Sequence, residues 1–164
     1  MKTENNKLEK ATFGAGCFWS IEEMFHHVDG VKETVVGYMG GKTENPDYEL
    51  ICGGNTGHAE VVQIMYDPNI VSYEKLLKVF WDIHNPTTLN RQGWDVGDQY
   101  RSAIFYHNDK QKELADKSKE GVEKSGRWKN PIVTQIVPAQ TFWKAEDYHQ
   151  KYLHKRGLTS CRFI

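Results

Sequence analysis

Cys17 is the residue of this chain best placed to act as a nucleophile. It follows Gly14-Ala15-Gly16 and opens a run in which Ile21, Met24, Phe25 and Val28 repeat at i, i+3, i+4 and i+7, the spacing of one helical face. A thiol at a helix start meets unpaired backbone N–H groups and the positive end of the helix dipole, and both favour the thiolate. The two glycines permit a tight turn and a close approach of substrate to the backbone. Phe18 and Trp19 add flat apolar surface beside the sulfur. The competing reading is a packed structural cysteine with two core aromatics, the commoner role for an arbitrary cysteine.

Other residues could serve such a thiol. Glu60 opens an apolar run after Gly57-His58-Ala59. Desolvation there would raise its pKa and suit it to general acid work, whereas an exposed strand-end glutamate would do nothing. His58, two residues away, could pair with Cys17 as in a hydrolase or transferase, or simply pin the loop. Tyr48, Asp95 and Tyr100 lie in polar, glycine-containing stretches, and tyrosine hydroxyls can donate to a polarised oxygen. Cys161, near the C-terminus behind Gly157-Leu158-Thr159-Ser160, could swing in and condense with a sulfenic acid on Cys17. Cys52, in a glycine-rich loop, is an alternative second thiol. A zinc site from Cys17, Cys52, His58 and Cys161 is disfavoured, because no paired Cys-x-x-Cys or His-x-x-x-His spacing exists.

The elements that must position these groups follow from periodicity and turn signals. Strands are expected at 10–13, 31–39, 59–66, 102–106 and 132–137. Helices are expected at 17–28, 73–84 with Ser72 as N-cap, from Asn108-Asp109 to about 124, and over 145–155. Residues 45–57 and 90–98 read as loops. Two consecutive strands between helices predict an α+β domain with helices packed on a sheet. With 164 residues, the chain is expected to form a single catalytic domain spanning 1–164, with a core at about 10–156 and a tail at 157–164. The formal charge of −1 gives no electrostatic reason to expect nucleic acid or an anionic membrane as partner. No apolar run approaches a membrane span and the polar first ten residues lack a signal peptide's apolar stretch, so the expected location is cytoplasmic. Three cysteines, an odd and small number, suit reactive or buried thiols better than a disulfide-stapled secreted domain.

Taken together, several stretches make the sequence resemble the class A peptide methionine sulfoxide reductases. They are Gly14-Ala15-Gly16-Cys17-Phe18-Trp19, Asn45-Pro46-Asp47-Tyr48, Thr56-Gly57-His58-Ala59-Glu60, Arg91-Gln92-Gly93, Gln99-Tyr100-Arg101-Ser102 and Ala145-Glu146-Asp147-Tyr148-His149-Gln150. The resemblance implies a two-layer α/β sandwich with a ferredoxin-like core and a mixed sheet. It further implies reduction of methionine S-sulfoxide, free or in oxidised proteins under oxidative stress, by a monomer with no cofactor or metal. Cys17 would attack the sulfoxide sulfur and Glu60 would protonate the departing oxygen. Tyr48 and Tyr100 would hold that oxygen, Phe18 and Trp19 would enclose the S-methyl group, and Asp95 would join the polar surround. Cys161 would resolve the sulfenic acid as a disulfide, with Cys52 as the alternative, and thioredoxin or another dithiol would reduce it. Two departures stand out: Asp98, where many members carry threonine, and a short tail with one cysteine. Against this stand two rival functions, a Cys17–His58 hydrolase and a non-catalytic module that binds methionine peptides through its aromatics.

Overall fold

Val31–Met39 and Ala59–Tyr66 are the strongest strand runs of the sequence, and in the computed structural model, which describes residues 7–158, they pair antiparallel over their whole length as β2 and β3. β1 (Glu9–Ala15) lies on the other side of β3, and β6 (Ser102–Tyr106) lies beyond β1, both antiparallel. Helix α1 (Phe18–His26) links β1 to β2, and α3 (Tyr73–Asp82) lies between β3 and β6. The strand order β6-β1-β3-β2 with these helices is the ferredoxin-like core expected of an α+β domain. Helix α4 (Asp109–Lys124) then leads to β7 (Gln135–Pro138), which joins β6 in parallel, so the sheet is mixed. The two-residue strand β8 (Trp143–Lys144) closes the opposite edge against Gly37 and Tyr38 of β2.

Side chains alternate across the sheet, so each strand feeds two layers. Phe13, Val36, Tyr38, Val62, Ile64 and Ile104 face the helices and join Phe25, Leu77 and Phe80 in the main core. Phe13 sits at its centre, stacked on Phe25, Tyr73 and Phe80 with ring centroids 5.4, 6.1 and 5.2 Å away. The opposite face packs Met39, Val61 and Phe105 under Phe142 and Val137.

Ser72 and Asn108 cap α3 and α4 as their types predict, accepting from Lys75 N and Gln111 N. Four local expectations need correction. Residues 45–57 contain a short helix α2 (Tyr48–Cys52), begun by Asp47, whose side chain accepts from Leu50 N. Residues 90–98 fold into a hairpin of β4 (Arg91–Gln92) and β5 (Asp95–Val96), turned at Gly93 with φ +58. Along α1, Glu22 is buried and Met24 is 47% exposed, so a buried carboxylate replaces a methionine on the inward face. The 145–155 stretch is not one helix: a 3-10 turn at Asp147–His149 is cut off by Lys151 in the left-handed region, φ 51, before α5 (Tyr152–Lys155). Tertiary bonds win there. Lys151 N donates to Glu22 Oε1, and the Gln150 side chain accepts from Val36 N at 2.9 Å and donates to Val36 O at 2.9 Å along β2. Among the described residues, no helix is long and apolar enough to cross a membrane.

Candidate active site

Cys17 occupies the N-cap position of α1, half-buried, with φ −57 and ψ 120. The turn before it depends on Gly16, whose φ of +99 side-chain-bearing residues rarely adopt. A Cβ on Gly16 would also lie 2.8 Å from Gln92 Cγ, so glycine lets the hairpin press against the nucleophile's turn. Gln92 is itself clamped, its Oε1 accepting from Asn85 N and its Nε2 donating to Asn85 O, both at 2.8 Å. Helix α1 has no acidic residue in its first turn to compete with a thiolate for the dipole.

Glu60 is the carboxylate that reaches this helix start. It is only 2% exposed, on the same face of β3 as Val62 and Ile64, and its Oε1 accepts from Phe18 N at 3.3 Å. The alternative of an exposed strand-end glutamate is therefore excluded. Tyr38, opposite Glu60 in the register of β2 and β3, is fully buried and donates its hydroxyl to Glu146 Oε2 at 3.4 Å. Burial, then the charges of Glu146 and Glu60, push the Tyr38 phenol far above its ordinary range.

Tyr48 and Tyr100 converge on the same centre from different elements. Tyr48 begins α2, and its backbone N–H donates to Glu146 Oε1 at 3.0 Å. Tyr100 ends a 3-10 turn (Asp98–Tyr100) that follows the hairpin. Each phenol is held well above its usual pKa. For Tyr48 the main cause is a hydrogen bond with the Cys52 side chain, then burial, then the charges of Cys52, Glu60 and Cys17. For Tyr100 burial leads, followed by the charges of Glu60, Asp95, Tyr48 and Cys17. Both hydroxyls therefore remain protonated donors through the physiological range. Asp95 lies on the exposed hairpin and reaches the site through its field at Tyr100. Cys52 is exposed, one helical turn from Tyr48. Cys161 lies outside the described residues.

Phe18 is buried and tilted against Tyr38 at 5.8 Å, while Trp19 is half-buried. Trp19 is fixed by a layer that residue-level reading did not single out. Its Nε1 donates to His149 Nδ1 at 2.9 Å, and its ring stacks on Tyr152 at 3.7 Å and 6°. His149 is 1% exposed, burial pushes its pKa down, and its ring also lies 4.8 Å from that of Tyr48. Glu146 joins this layer through Tyr38 and Tyr48. The signal for these residues was present only as the Ala145–Gln150 motif, since their partners lie about a hundred positions upstream. His58 is buried elsewhere: its Nδ1 accepts from Gly41 N at 3.0 Å and its Nε2 faces Thr43 O at 2.7 Å. With both nitrogens bonded to backbone, it has none left to take a proton from Cys17. Among the described residues, the potential metal ligands that cluster are Glu23, His27 and His154, not the cysteines.

A buried carboxyl and two protonated phenols gathered near a thiol at a helix start, beside the rings of Phe18 and Trp19, suit a small polarised oxygen attached to an apolar group. The family model described as peptide methionine sulfoxide reductase matches residues 9–164. The peptide methionine sulfoxide reductase MsrA of Geobacter sulfurreducens is 60% identical over 160 residues, covering 98% of this chain and 99% of its own length. The crystal structure of Mxr1 from Saccharomyces cerevisiae in reduced form superposes with a TM-score of 0.87 at 38% identity, covering 95% of this chain and 90% of that one. The same yeast protein in complex with Trx2 matches with a TM-score of 0.64 at 28% identity, over 93% and 89% of the two chains. Agreement over nearly the whole length, in sequence and in fold, makes this chain a member of the class A peptide methionine sulfoxide reductases, oxidoreductases that return methionine sulfoxide to methionine.

Proposed function

We propose that the protein reduces the S epimer of methionine sulfoxide, free or within oxidised proteins, with Cys17 as nucleophile and Glu60 as acid. The observation that carries this reading is the 3.3 Å hydrogen bond from Phe18 N to Glu60 Oε1, made by a carboxyl that is 2% exposed. It supports a carboxyl shielded from bulk water and one residue from the thiol, placed to give its proton to a bound oxygen. The Cys17 thiolate attacks the sulfoxide sulfur while Glu60 delivers a proton to the oxygen, with Tyr48 and Tyr100 donating to that oxygen. Oxygen passes to the Cys17 sulfur, so methionine leaves reduced and Cys17 is oxidised to a sulfenic acid. Epimer choice follows from geometry. The oxygen must lie toward the phenols and the methyl toward Phe18 and Trp19, and only one configuration at sulfur does both while presenting its back to Cys17.

A second thiol then attacks the sulfenic acid, forming a disulfide and releasing water. We assign this step to Cys161. Cys52 is the second reading, favoured by the hydrogen bond of its side chain with Tyr48, a residue that also feels the Cys17 charge. Thioredoxin, or another dithiol, returns the disulfide to two thiols and is itself oxidised; the yeast relative's complex with Trx2 supports that partner. The protein would work as a cytoplasmic monomer, its electrons carried by thiols alone.

Purified protein with dithiothreitol is expected to consume methionine S-sulfoxide and leave the R epimer. Turnover of both, or of neither, overturns the assignment. Cys161→Ser is expected to release about one methionine per enzyme and then stall with thioredoxin. Mass spectrometry of the oxidised parent is expected to find a Cys17–Cys161 link; a Cys17–Cys52 link would transfer the resolving role.

A further inference from the structure

The far end of α1 from the thiol carries a second group of chemically capable side chains. Glu23 is 5% exposed and splits its carboxylate between two histidines: Oε1 lies 2.6 Å from His27 Nε2, and Oε2 lies 4.0 Å from His154 Nδ1 of α5. One ligand atom from each of the three lies within 4.8 Å of the other two. The His26 ring is 4.9 Å from that of His154 and 5.4 Å from that of His27. Three imidazoles thus gather around one buried carboxylate. Two imidazole nitrogens and one carboxylate oxygen are brought together where α1 meets α5.

We propose that Glu23, His27 and His154 form a binding site for a borderline divalent cation of the zinc class, joining α1 to α5. Two imidazole nitrogens and one carboxylate oxygen suit zinc, nickel or copper, whereas magnesium and calcium prefer oxygen alone. Ligand atoms around tetrahedral zinc stand about 3.3 Å apart, from bonds of about 2.0–2.1 Å. The widest separation, up to 4.8 Å, therefore needs to close by as much as about 1.5 Å, while the 2.6 Å contact of Glu23 with His27 opens slightly. The side chains that must move are the two free to do so, with His27 60% and His154 52% exposed, while the buried Glu23 stays as the anchor. His26 or water completes the shell. The ion would act as a staple. It would fix α5, which stacks Tyr152 on Trp19 and leads into the tail bearing Cys161, against the helix that begins at Cys17.

The test uses the untagged full chain, stripped with a chelator, and compares it with the double variant His27→Ala/His154→Ala and with Glu23→Gln. Zinc uptake is followed by calorimetry and cobalt uptake by visible absorption. The parent is expected to bind one equivalent more than the double variant, with cobalt d–d bands that lack sulfur-to-metal charge transfer. Glu23→Gln is expected to weaken that equivalent about tenfold or more. Thiol-bound ions are common to all three proteins and drop out of the difference. Matching circular dichroism separates lost binding from a lost fold, and the exposed histidines keep the double variant folded if Glu23→Gln is not. Equal equivalents and affinities in parent and double variant overturn the proposal, as does a parent whose every bound cobalt shows sulfur charge transfer.

Discussion

His84 lies just beyond the end of α3 and is 7% exposed, with Nδ1 2.6 Å from Phe80 O and Nε2 2.7 Å from Ser102 Oγ. Its Nδ1–H donates to the carbonyl, so Nε2 is an acceptor, and the Ser102 hydroxyl, 2.7 Å from Thr134 Oγ1, completes the chain. Burial pushes its pKa from 6.5 down to about 4. The folded protein therefore refuses a proton that the unfolded chain accepts, and His84 contributes its full stability only above pH 6.5. That contribution is lost as pH falls toward 4. The unfolded chain's advantage is about 1.4 kcal/mol at pH 5.5 and approaches a ceiling of about 3.4 kcal/mol below pH 4. Urea unfolding of the parent and of His84→Gln, between about pH 8 and pH 5.5, isolates this group from the other titrating residues. The variant is expected to be less stable at pH 8, with the gap closing by about 1.4 kcal/mol at pH 5.5. Parallel stability curves, or a His84 ring that titrates near its ordinary value by NMR, would refute the reasoning.

Glu60→Gln keeps an acceptor for Phe18 N but has no proton to give; single-turnover methionine release should slow about 10²–10⁴-fold with the thermal midpoint little changed. A loss below tenfold would point to another acid. Tyr100→Phe removes one donor to a developing negative oxygen, worth about 1.5–3 kcal/mol, and should cut kcat/KM by roughly 10–100-fold. Phe13→Ala should destabilise the chain by about 3–5 kcal/mol in urea, because it empties the centre of a three-ring stack. Trp94→Ala should leave stability within about 0.5 kcal/mol of the parent, since that indole is 99% exposed at the hairpin tip.

The elements legible in the sequence are those whose own residues decide them. β2 and β3 are β-branched runs between turn signals, and α3 has Ser72 and an apolar stripe, so each was bounded closely. Cys17 announced itself in the same way, with glycines before it and a helical period after it. Glu60 did not, because its burial is imposed by α1 and by strands on both sides, none of which is near it in sequence. The family resemblance, not the residue's own neighbourhood, put it in the site. His149 and Glu146 act through Trp19, Tyr38 and Tyr48, contacts that no local window contains. The break at Lys151 was hidden for a related reason: helical periodicity in 145–155 is overridden by bonds to Glu22 and β2.

Gln150 has a consequence beyond shaping that break. Its side-chain amide takes both the N–H and the C=O of Val36, as a neighbouring strand would, and Lys151 Nζ reaches Thr34 O at 3.5 Å just below. With β8 covering Gly37 and Tyr38, this rim of the sheet has little free ladder to offer another chain, and the opposite edge strand is four residues long and ends in Pro138. The amide of Gln150, the ammonium of Lys151 and two short strands together leave a partly unfolded chain little backbone at either edge to pair with.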